Sequence, residues 1–576
     1  MTKKNVSDAL WEMMADAGVK RCYGIVGDAM NPIIDALRRN GKIDFVHVRH
    51  EEAGVFAASA EGNLTGEPVA VCGTAGPGVT HLINGLIDAR KEGAPVIAVA
   101  GDTVSSVIDT GMLEELNPYT FFAVASRYTG RIVNPAQTRA VVQTAIRVAI
   151  AENGPTVIAI PGDLAAEPAP EDALEMVRYQ TPVLRPNDSD LGDLAQAINE
   201  ANNVTIFGGA GCEKAHDEVV ALATKLKAPV GYAYRGKQWL EWENPNAVGM
   251  SGLIGWGGAY DAMHEADLLL LLGTDFPFSE FYPDKEVKKV QIDKSPGHLG
   301  RRTYLDMALV GHVKDTIDAL LPMVSEKTNS KHLDKALDTT QKSREKMARY
   351  VTHGPETKPL RPEYLASTIN DLADHDAIFS ADTGTPCIWM ARYIHGMRNR
   401  RLIGSLSWAS MANAMANAMG AALSHPGRQC VALCGDGGFT MMMGDLLTIV
   451  ERKLPVKVVI FNNSKLDFVH IEQEEAGLQP FGTGFQNPNF QQVAEAMGAF
   501  AVRIEDPKDV PEAVGAALHH DGPAVVDAVV DPLALSLPPH ITFGMAEGFS
   551  LSLAKQALHS SLDDVFETGV RNLRLT

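Results

Sequence analysis

CVALCGDGGFTMMMGDLLTIVERKLPVKVVIFNN, residues 430–463, contains two apolar strands, each ending in a short polar signature. Gly435-Asp436-Gly437 closes the first strand and Asn462-Asn463 closes the second, with 24 residues between the signatures. A strand, a helix-length segment and a second strand make a βαβ unit, which predicts parallel strands and places both signatures at one sheet edge. That edge, at the C-terminal ends of the strands, is where open α/β sheets bind ligands. The carboxylate of Asp436 and the amide oxygen of Asn463 are hard donors. Such donors suit Mg2+ or Ca2+, with diphosphate oxygens and water completing the shell. Gly437 and Gly438 let the backbone approach a phosphate at the start of the following helix. A GDGG turn or an NN turn alone is ordinary. Both together, each after an apolar strand, are specific.

The same alternation extends outward over the chain. AIFSADTG, RLIGSLS and AVVDAVV complete a block that begins near Pro362. The first third carries CYGIVGD, DFVHVRH, PVAVCGTAG, PVIAVAGD and TVIAIPGD, and a middle block carries VTIFGGAG, PVGYAY, DLLLLLGTD and KKVQIDK. A stretch rich in proline and charge, AAEPAPEDALEMVRYQTPVLRPNDSD, divides the first block from the second. The charged segment SEKTNSKHLDKALDTTQKSREKMARY reads as a solvated helical connector to the third. The expected class is α/β, with three doubly wound parallel-sheet domains at 1–182, 183–335 and 336–530 and a C-terminal tail at 531–576.

Length and composition agree. A chain of 576 residues, 45% hydrophobic and 21% charged, has material for several cores, and it excludes a collagen-like, disulfide-scaffold or wholly disordered protein. Its net charge of −20 repels nucleic acid, so none is expected as a partner. The six cysteines (Cys22, Cys72, Cys212, Cys387, Cys430 and Cys434) form no CxxC pair and no zinc spacing, which suits a reducing, cytoplasmic location. Asp8, Glu12 and Asp16 interrupt the first apolar stretch, which is therefore not read as a signal peptide. No apolar run approaches the ~18 residues needed to span a bilayer.

The GDG and NN pair at this interval resembles the thiamine-diphosphate signature of the pyruvate oxidase and acetolactate synthase group. RHEE (49–52), HLINGL (81–86), GLIG (252–255), GTDFPF (273–278), SMANAM (410–415), GDGGF (435–439) and the tail extend the likeness over essentially the whole chain. They resemble the thiamine-diphosphate- and FAD-dependent pyruvate oxidase family, most nearly its bacterial pyruvate:quinone oxidoreductases. The resemblance implies a cofactor set of thiamine diphosphate, Mg2+ and FAD.

It also implies roles, residue by residue. Glu51 stands against N1′ of the thiamine aminopyrimidine and favours the tautomer that takes the proton from thiazolium C2. As the start of a helix it would also favour the helix N-terminus with no such role. His81 faces the active centre, behind a wall of Thr74, Gly76 and Gly78. The sequence leaves open whether it holds a pyruvate carboxylate or relays a proton. Gly384, Thr385 and the GDG turn meet the diphosphate, and Asp436, Asn463 and the main-chain oxygen of Lys465 ligate the metal. Gly437, Gly438, Ser464 and Leu466 belong to the same cofactor-binding stretch. Ala409 offers its carbonyl to the 4′-amino group, beside Ser410, and Met411 is the wedge that bends thiamine. Phe468 and Glu472 border the reactive carbon and the flavin. For FAD the likeness implies Gly209, Gly211, Gly252, Leu253, Ile254, Gly255, Asp275, Phe276, Pro277, Phe278 and Ser279, with Asp293 on a ribose hydroxyl. The middle block lacks a full GxGxxG, so its motifs do not indicate a nicotinamide cofactor.

Three positions depart from the family pattern. Ala409 stands where glycine is usual, Asp467 where glycine precedes the phenylalanine, and Leu113-Glu114-Glu115 where relatives carry Phe-Gln-Glu.

The implied reaction is oxidative decarboxylation of pyruvate to acetate and CO2, with electrons passed through FAD to a membrane quinone. Alternatives are an O2- and phosphate-dependent oxidase giving acetyl phosphate and H2O2, an acetolactate synthase, and a non-catalytic lipid- or partner-binding paralogue. The family shares each thiamine between subunits, which implies at least a homodimer and points to a tetramer. In the tail, Leu558, Leu562, Val565, Phe566, Gly569, Val570 and Leu573 recur at helical spacing. That stripe reads as a docked helix, and the resemblance to quinone-linked relatives implies instead a latch onto lipid at the inner face of the cell membrane. Three basic and five acidic residues from Asp531 onward give 3 − 5 = −2, which does not favour anionic lipid.

Overall fold

A computed structural model describes residues 4–171, 183–534 and 551–552. The first sheet contains β1 (Arg21–Gly24), β2 (Asp44–His47), β3 (Val69–Gly73), β4 (Val96–Asp102), β5 (Tyr128–Arg131) and β6 (Thr156–Pro161). All are parallel, in the order β2-β1-β3-β4-β6-β5. The middle sheet contains β7 (Val204–Gly208), β8 (Val230–Tyr232), β9 (Ala247–Met250), β10 (Trp256–Gly257), β11 (Leu268–Leu272), β12 (Lys288–Asp293) and β13 (Met307–Val310). Its order is β10-β9-β8-β7-β11-β12-β13, and only the short edge strand β10 runs antiparallel to its neighbour. The third sheet contains β14 (Ile378–Ala381), β15 (Arg401–Gly404), β16 (Cys430–Gly435), β17 (Val456–Asn462), β18 (Phe500–Ile504) and β19 (Ala524–Val529). Its order, β15-β14-β16-β17-β19-β18, repeats that of the first sheet strand for strand. The chain is thus three α/β domains on essentially parallel sheets.

Central strands such as β3, β4 and β16 are buried along almost their whole length, so they read as unbroken apolar runs. The equivalent edge strands β5 and β18 are only partly buried and carry arginine, and the sequence patterns do not mark them. The connector is a helix, Lys331–Thr352, but it is not solvated all round. Leu333, Ala336 and Thr340 form a buried stripe, and Thr340 accepts the Gly258 amide and donates to the Val248 carbonyl. A helix this charged still docks on the middle sheet because three small or apolar residues share one face. It crosses the 335/336 division drawn from the sequence.

The first and third domains share one apolar core, with Val46, Val55 and Ala58 on one side and Met415, Met419 and Ile449 on the other. Its axis is a contact between two alanine-rich helices, Glu51–Thr65 and Ala414–Ser424. They approach so closely that a Cβ on Gly420 would lie 2.1 Å from the Ala57 carbonyl oxygen. The Asp445 carboxylate accepts the amides of Arg49 (2.7 Å) and His50 (3.1 Å), tying the third domain to the residues just before Glu51. Among the described residues, no helix is long and apolar enough to cross a membrane. The end of the proline-rich divide, 172–182, and the tail stripe from Leu558 lie outside the described residues.

Gly420→Val tests the helix contact. Overpacking against a main-chain carbonyl is expected to cost about 1–3 kcal/mol or more, read as a lower melting temperature. An unchanged melting temperature would refute the close approach.

Candidate active site

A strand order of this kind leaves a crevice where the chain departs to opposite sides, at the C-terminal ends of the two strands concerned. In the third sheet these strands are β14 and β16. The turn after β14 is Asp382-Thr383-Gly384, leading into the helix Thr385–Tyr393. Gly384 has φ +136°, and a Cβ there would meet nothing closer than Pro386 at 3.6 Å, so the space before it is open. Gly435 is similarly uncrowded, with Pro386 at 3.8 Å. Gly438 is glycine for another reason: a Cβ there would lie 2.3 Å from Oδ2 of Asp382. That oxygen is buried and has no hydrogen-bond partner among the described residues, while Oδ1 accepts the Ala414 amide at 2.9 Å. Burial pushes the Asp382 carboxyl up to about 7.

Asp436 is the centre of this edge. Its Oδ1 accepts the Gly437 amide at 2.8 Å. Its Oδ2 accepts the amides of Asn463 (3.0 Å) and Ser464 (2.6 Å) and the Asn487 side chain (2.8 Å). Burial raises the pKa of the Asp436 carboxyl, and these four donors oppose the rise. Asn463 Oδ1 accepts the Lys465 amide at 3.1 Å, while the Lys465 ammonium goes to the Pro532 carbonyl at 3.0 Å. Ser464 is held at φ +58°, and Leu466 donates its amide to the Thr483 carbonyl. Asn487 also donates to Asn462 Oδ1 (2.9 Å), and Asn462 donates to the buried Asp527 (2.9 Å). The sequence reading missed Asn487 because FQNPNF matches no motif, and only the fold brings it to Asp436.

Leu466, Phe485 and Met411 converge over Gly437, at 3.1, 3.3 and 3.5 Å from where its Cβ would be. Met411 lies in a loop whose flanking residues Ala409 and Ala412 both have φ +63°. The helix Asp467–Glu475 follows Leu466. In it, Phe468 packs on the third domain's core and Glu472 lies on the exposed face. Asp467 is buried, which pushes its carboxyl up to about 7.

The first sheet's crevice lies between β1 and β3. Thr74 fills it, 2.2 Å from where a Gly27 Cβ would be, and its hydroxyl is buried without a partner among the described residues. Glu51 is 5% exposed; its Oε2 lies 2.9 Å from Nδ1 of His81, and its Oε1 faces Gly78. His50 stacks on His81 with ring centroids 4.5 Å apart. Glu114, at φ +64°, covers Gly76. The loop carrying it is closed by Glu115, which accepts the amides of Asp109, Gly111 and Met112. A cavity of about 450 Å³ runs along the seam between the domains, lined by His50, Glu52, Asn84, Ser410 and Met411 among others. Among the described residues, no hydrogen bond joins Glu51 to the Met411 loop or to Asp436.

In the middle sheet the crevice lies between β7 and β11. Gly209 and Gly211 are used inside the protein here: Cβ atoms on them would come within 2.7 and 2.6 Å of Gly273. Phe276 is buried in an aromatic cluster with Phe207, Phe278, Phe281 and Tyr282, while Pro277 and Ser279 are exposed. Gly252 lies under the Phe276 ring, and the Arg392 side chain donates to the carbonyls of Ile254 (3.4 Å) and Gly255 (3.2 Å). Leu253 packs on the same aromatic cluster. Asp275 is paired with Arg301 and Arg302. Asp293 accepts the Ser295 amide (2.8 Å) and lies 3.2 Å from His298. The Ser251 hydroxyl is buried without a partner among the described residues.

Two equivalent parallel sheets, one opening on an acid and a histidine and the other on a hard-oxygen edge, define a class. Residues 4–121, 191–320 and 382–528 match the N-terminal TPP-binding, central and C-terminal TPP-binding domains of the thiamine pyrophosphate enzymes. The chain belongs to that family. It is 34% identical over 564 residues to the Bacillus subtilis (strain 168) protein YdaP, covering 96% of each chain. It is 34% identical over 526 residues to a pyruvate oxidase of Lactiplantibacillus plantarum, covering 89% of this chain and 86% of that one. An acetolactate synthase of Mycobacterium bovis is 28% identical over 545 residues, covering 91% and 88%.

The third crevice fits a diphosphate with its metal. It offers open space before Gly384, a helix N-terminus at Thr385, and oxygen donors on Asp436 and Asn463. In the middle domain, Asp293 beside His298 and the Arg301 and Arg302 pair on Asp275 are polar groups of the kind that meet a dinucleotide.

Asn487→Ala should weaken Mg2+ binding about 10- to 100-fold, the usual cost of losing a partner that orients a metal ligand. Titrating Mg2+ against tryptophan fluorescence in the presence of thiamine diphosphate measures it. An unchanged midpoint would remove Asn487 from the site.

Proposed function

We propose that the protein catalyses oxidative decarboxylation of pyruvate to acetate and CO2, with thiamine diphosphate, Mg2+ and FAD, and passes the electrons to a membrane quinone. The observation that carries this reading is the 34% identity to a pyruvate oxidase along 89% of the chain, with all three domains retained. When bound, thiamine diphosphate supplies the carbon nucleophile and the electron sink for decarboxylation. Asp436, Asn463 and the Lys465 carbonyl would hold the metal, and Gly384 and Thr385 would receive the phosphate oxygens. Met411 and the Ala409 carbonyl orient the ring system. Glu51 would hold a proton at N1′ of the aminopyrimidine, and His81, bonded to Glu51, would meet the substrate. Phe468 and Glu472 would border the reacting carbon. Asp275 and Asp293 would meet the flavin nucleotide.

Glu51 and Asp436 lie in separate crevices with, among the described residues, no hydrogen bond between them, which favours sites completed between subunits of a homodimer or tetramer. The tail carries the quinone reading, as a latch that brings the enzyme to lipid. Acetolactate synthase is the second reading, favoured by the 28% identity to that enzyme over a similar span.

The flavin spectrum decides between them. Under anaerobiosis, with thiamine diphosphate and Mg2+, pyruvate should bleach the bound flavin, and a quinone should restore it faster than O2. Pyruvate consumption with an oxidised flavin would instead give acetolactate synthase. Glu51→Gln should keep fold and flavin and lose roughly 10²–10⁴-fold in turnover; wild-type turnover would exclude its role. Deleting residues from Asp563 onward should leave turnover in solution and abolish vesicle binding, and binding that persists would sink the latch.

A further inference from the structure

Asn84 lies on the helix Ile83–Glu92 of the first domain, and its side chain is hydrogen-bonded at both ends. Its Nδ2 donates to Glu52 Oε1 at 2.6 Å and to Ser410 Oγ at 3.0 Å. Its Oδ1 accepts the Trp408 indole N–H at 2.7 Å. Both N–H donors and one acceptor site of a planar amide are therefore committed, which fixes its orientation. Glu52 follows Glu51 at the start of the helix Glu51–Thr65, whereas Trp408 and Ser410 bracket Ala409 and precede Met411.

That loop is unusual in its backbone. Ala409 and Ala412 both carry a Cβ yet sit at φ +63°. This conformation is disfavoured for such residues and persists only where the surroundings over-determine it. Within the third domain the loop is tied by the Ala409 amide to the Ser405 carbonyl (2.9 Å) and the Ser410 amide to Ser405 Oγ (2.9 Å). Asn413 Nδ2 adds a bond to the Ser410 carbonyl (2.8 Å). These bonds shape the loop but do not locate it on the first domain. The Ser407 amide, which donates to Glu92 Oε1 at 2.5 Å, and Asn84 do so, Asn84 at two side chains on either side of Ala409.

We infer that Asn84 is a positioning residue that locks the Ala409–Met411 loop against the first domain, so that the Ala409 carbonyl and the Met411 side chain are held where the cofactor needs them. The inference rests on the thiamine reading of those two residues. It does not make Asn84 a general clasp. The domains are held together independently by the helix contact at Gly420, by Asp445 on the Arg49 and His50 amides, and by Arg235, which reaches both Glu92 and Ser407.

The test is a double-mutant cycle on the full chain with Asn84→Ala and Ser410→Ala. Four quantities are read: thiamine diphosphate affinity with Mg2+, the kcat for pyruvate, the KM for pyruvate, and the melting temperature. Misplacing an orienting loop can cost on the order of 10²-fold in rate. Asn84→Ala should therefore lower kcat by that order, change cofactor affinity far less, and leave KM and the melting temperature near wild type. The double variant should be no slower than Asn84→Ala alone, because both changes break one interaction. Should Asn84→Ala fail to fold, Ser410→Ala removes the same bond from the other side and should lower kcat in the same manner.

Unchanged kcat, a fall in kcat matched by lost cofactor binding, or multiplicative effects in the double variant would each overturn the inference. A wild type that neither binds thiamine diphosphate nor consumes pyruvate would instead overturn the functional reading beneath it.

Discussion

The close contact between the helices Glu51–Thr65 and Ala414–Ser424 is the constraint on which the rest of the molecule depends. Alanines and one glycine line it, and the Ala57 carbonyl lies where any side chain on residue 420 would begin. Small residues let two backbones approach closely and bury a long continuous surface, so the first and third domains have a single core. The contact also sets chemistry. Glu51 is the first residue of one helix, and the strained loop around Ala409 leads into the other. Whatever separates those helices moves both.

The third crevice is built from buried polar groups that hold one another. Asp436 gathers two amides from the Asn463 loop and one side chain from Asn487, and Asn487 is carried in turn by Asn462 and Asp527. A buried carboxylate so well supplied with donors stays in one orientation, which is what a ligand for a hard cation needs. Asp382 differs. One of its oxygens is buried without a donor, and burial favours its neutral form.

The helix Thr385–Tyr393 joins this crevice to the middle domain. Its first turn opens beside Gly384, and near its end Arg392 reaches the carbonyls of Ile254 and Gly255. Tyr234 of the middle domain adds a bond to the Cys387 carbonyl in its first turn. One rigid helix therefore spans from the diphosphate edge to the GLIG turn, and this gives that turn a structural use in addition to any ligand.

Sequence alone determined the class of fold and the strand ends that matter. Buried parallel strands read as apolar runs, and a glycine or an acid at their C-terminal ends marks the edge where ligands bind. The edge strands Tyr128–Arg131 and Phe500–Ile504 were not legible, because a half-exposed strand has no such run. Nor was the docking of the Lys331–Thr352 helix, whose buried stripe is short and surrounded by charge. Within the site, Asp436, Asn463, Glu51 and Met411 could be named from motifs. Asn487 and Asp382 could not, and Asn84, although it lies inside HLINGL, could not be given its partners, because each acts through residues distant in the chain and no local pattern records a contact made by folding. The reasons for particular glycines were also decided by tertiary structure alone. Gly384 faces open space, whereas Gly209, Gly211 and Gly438 are glycine because another part of the chain lies where their Cβ would be.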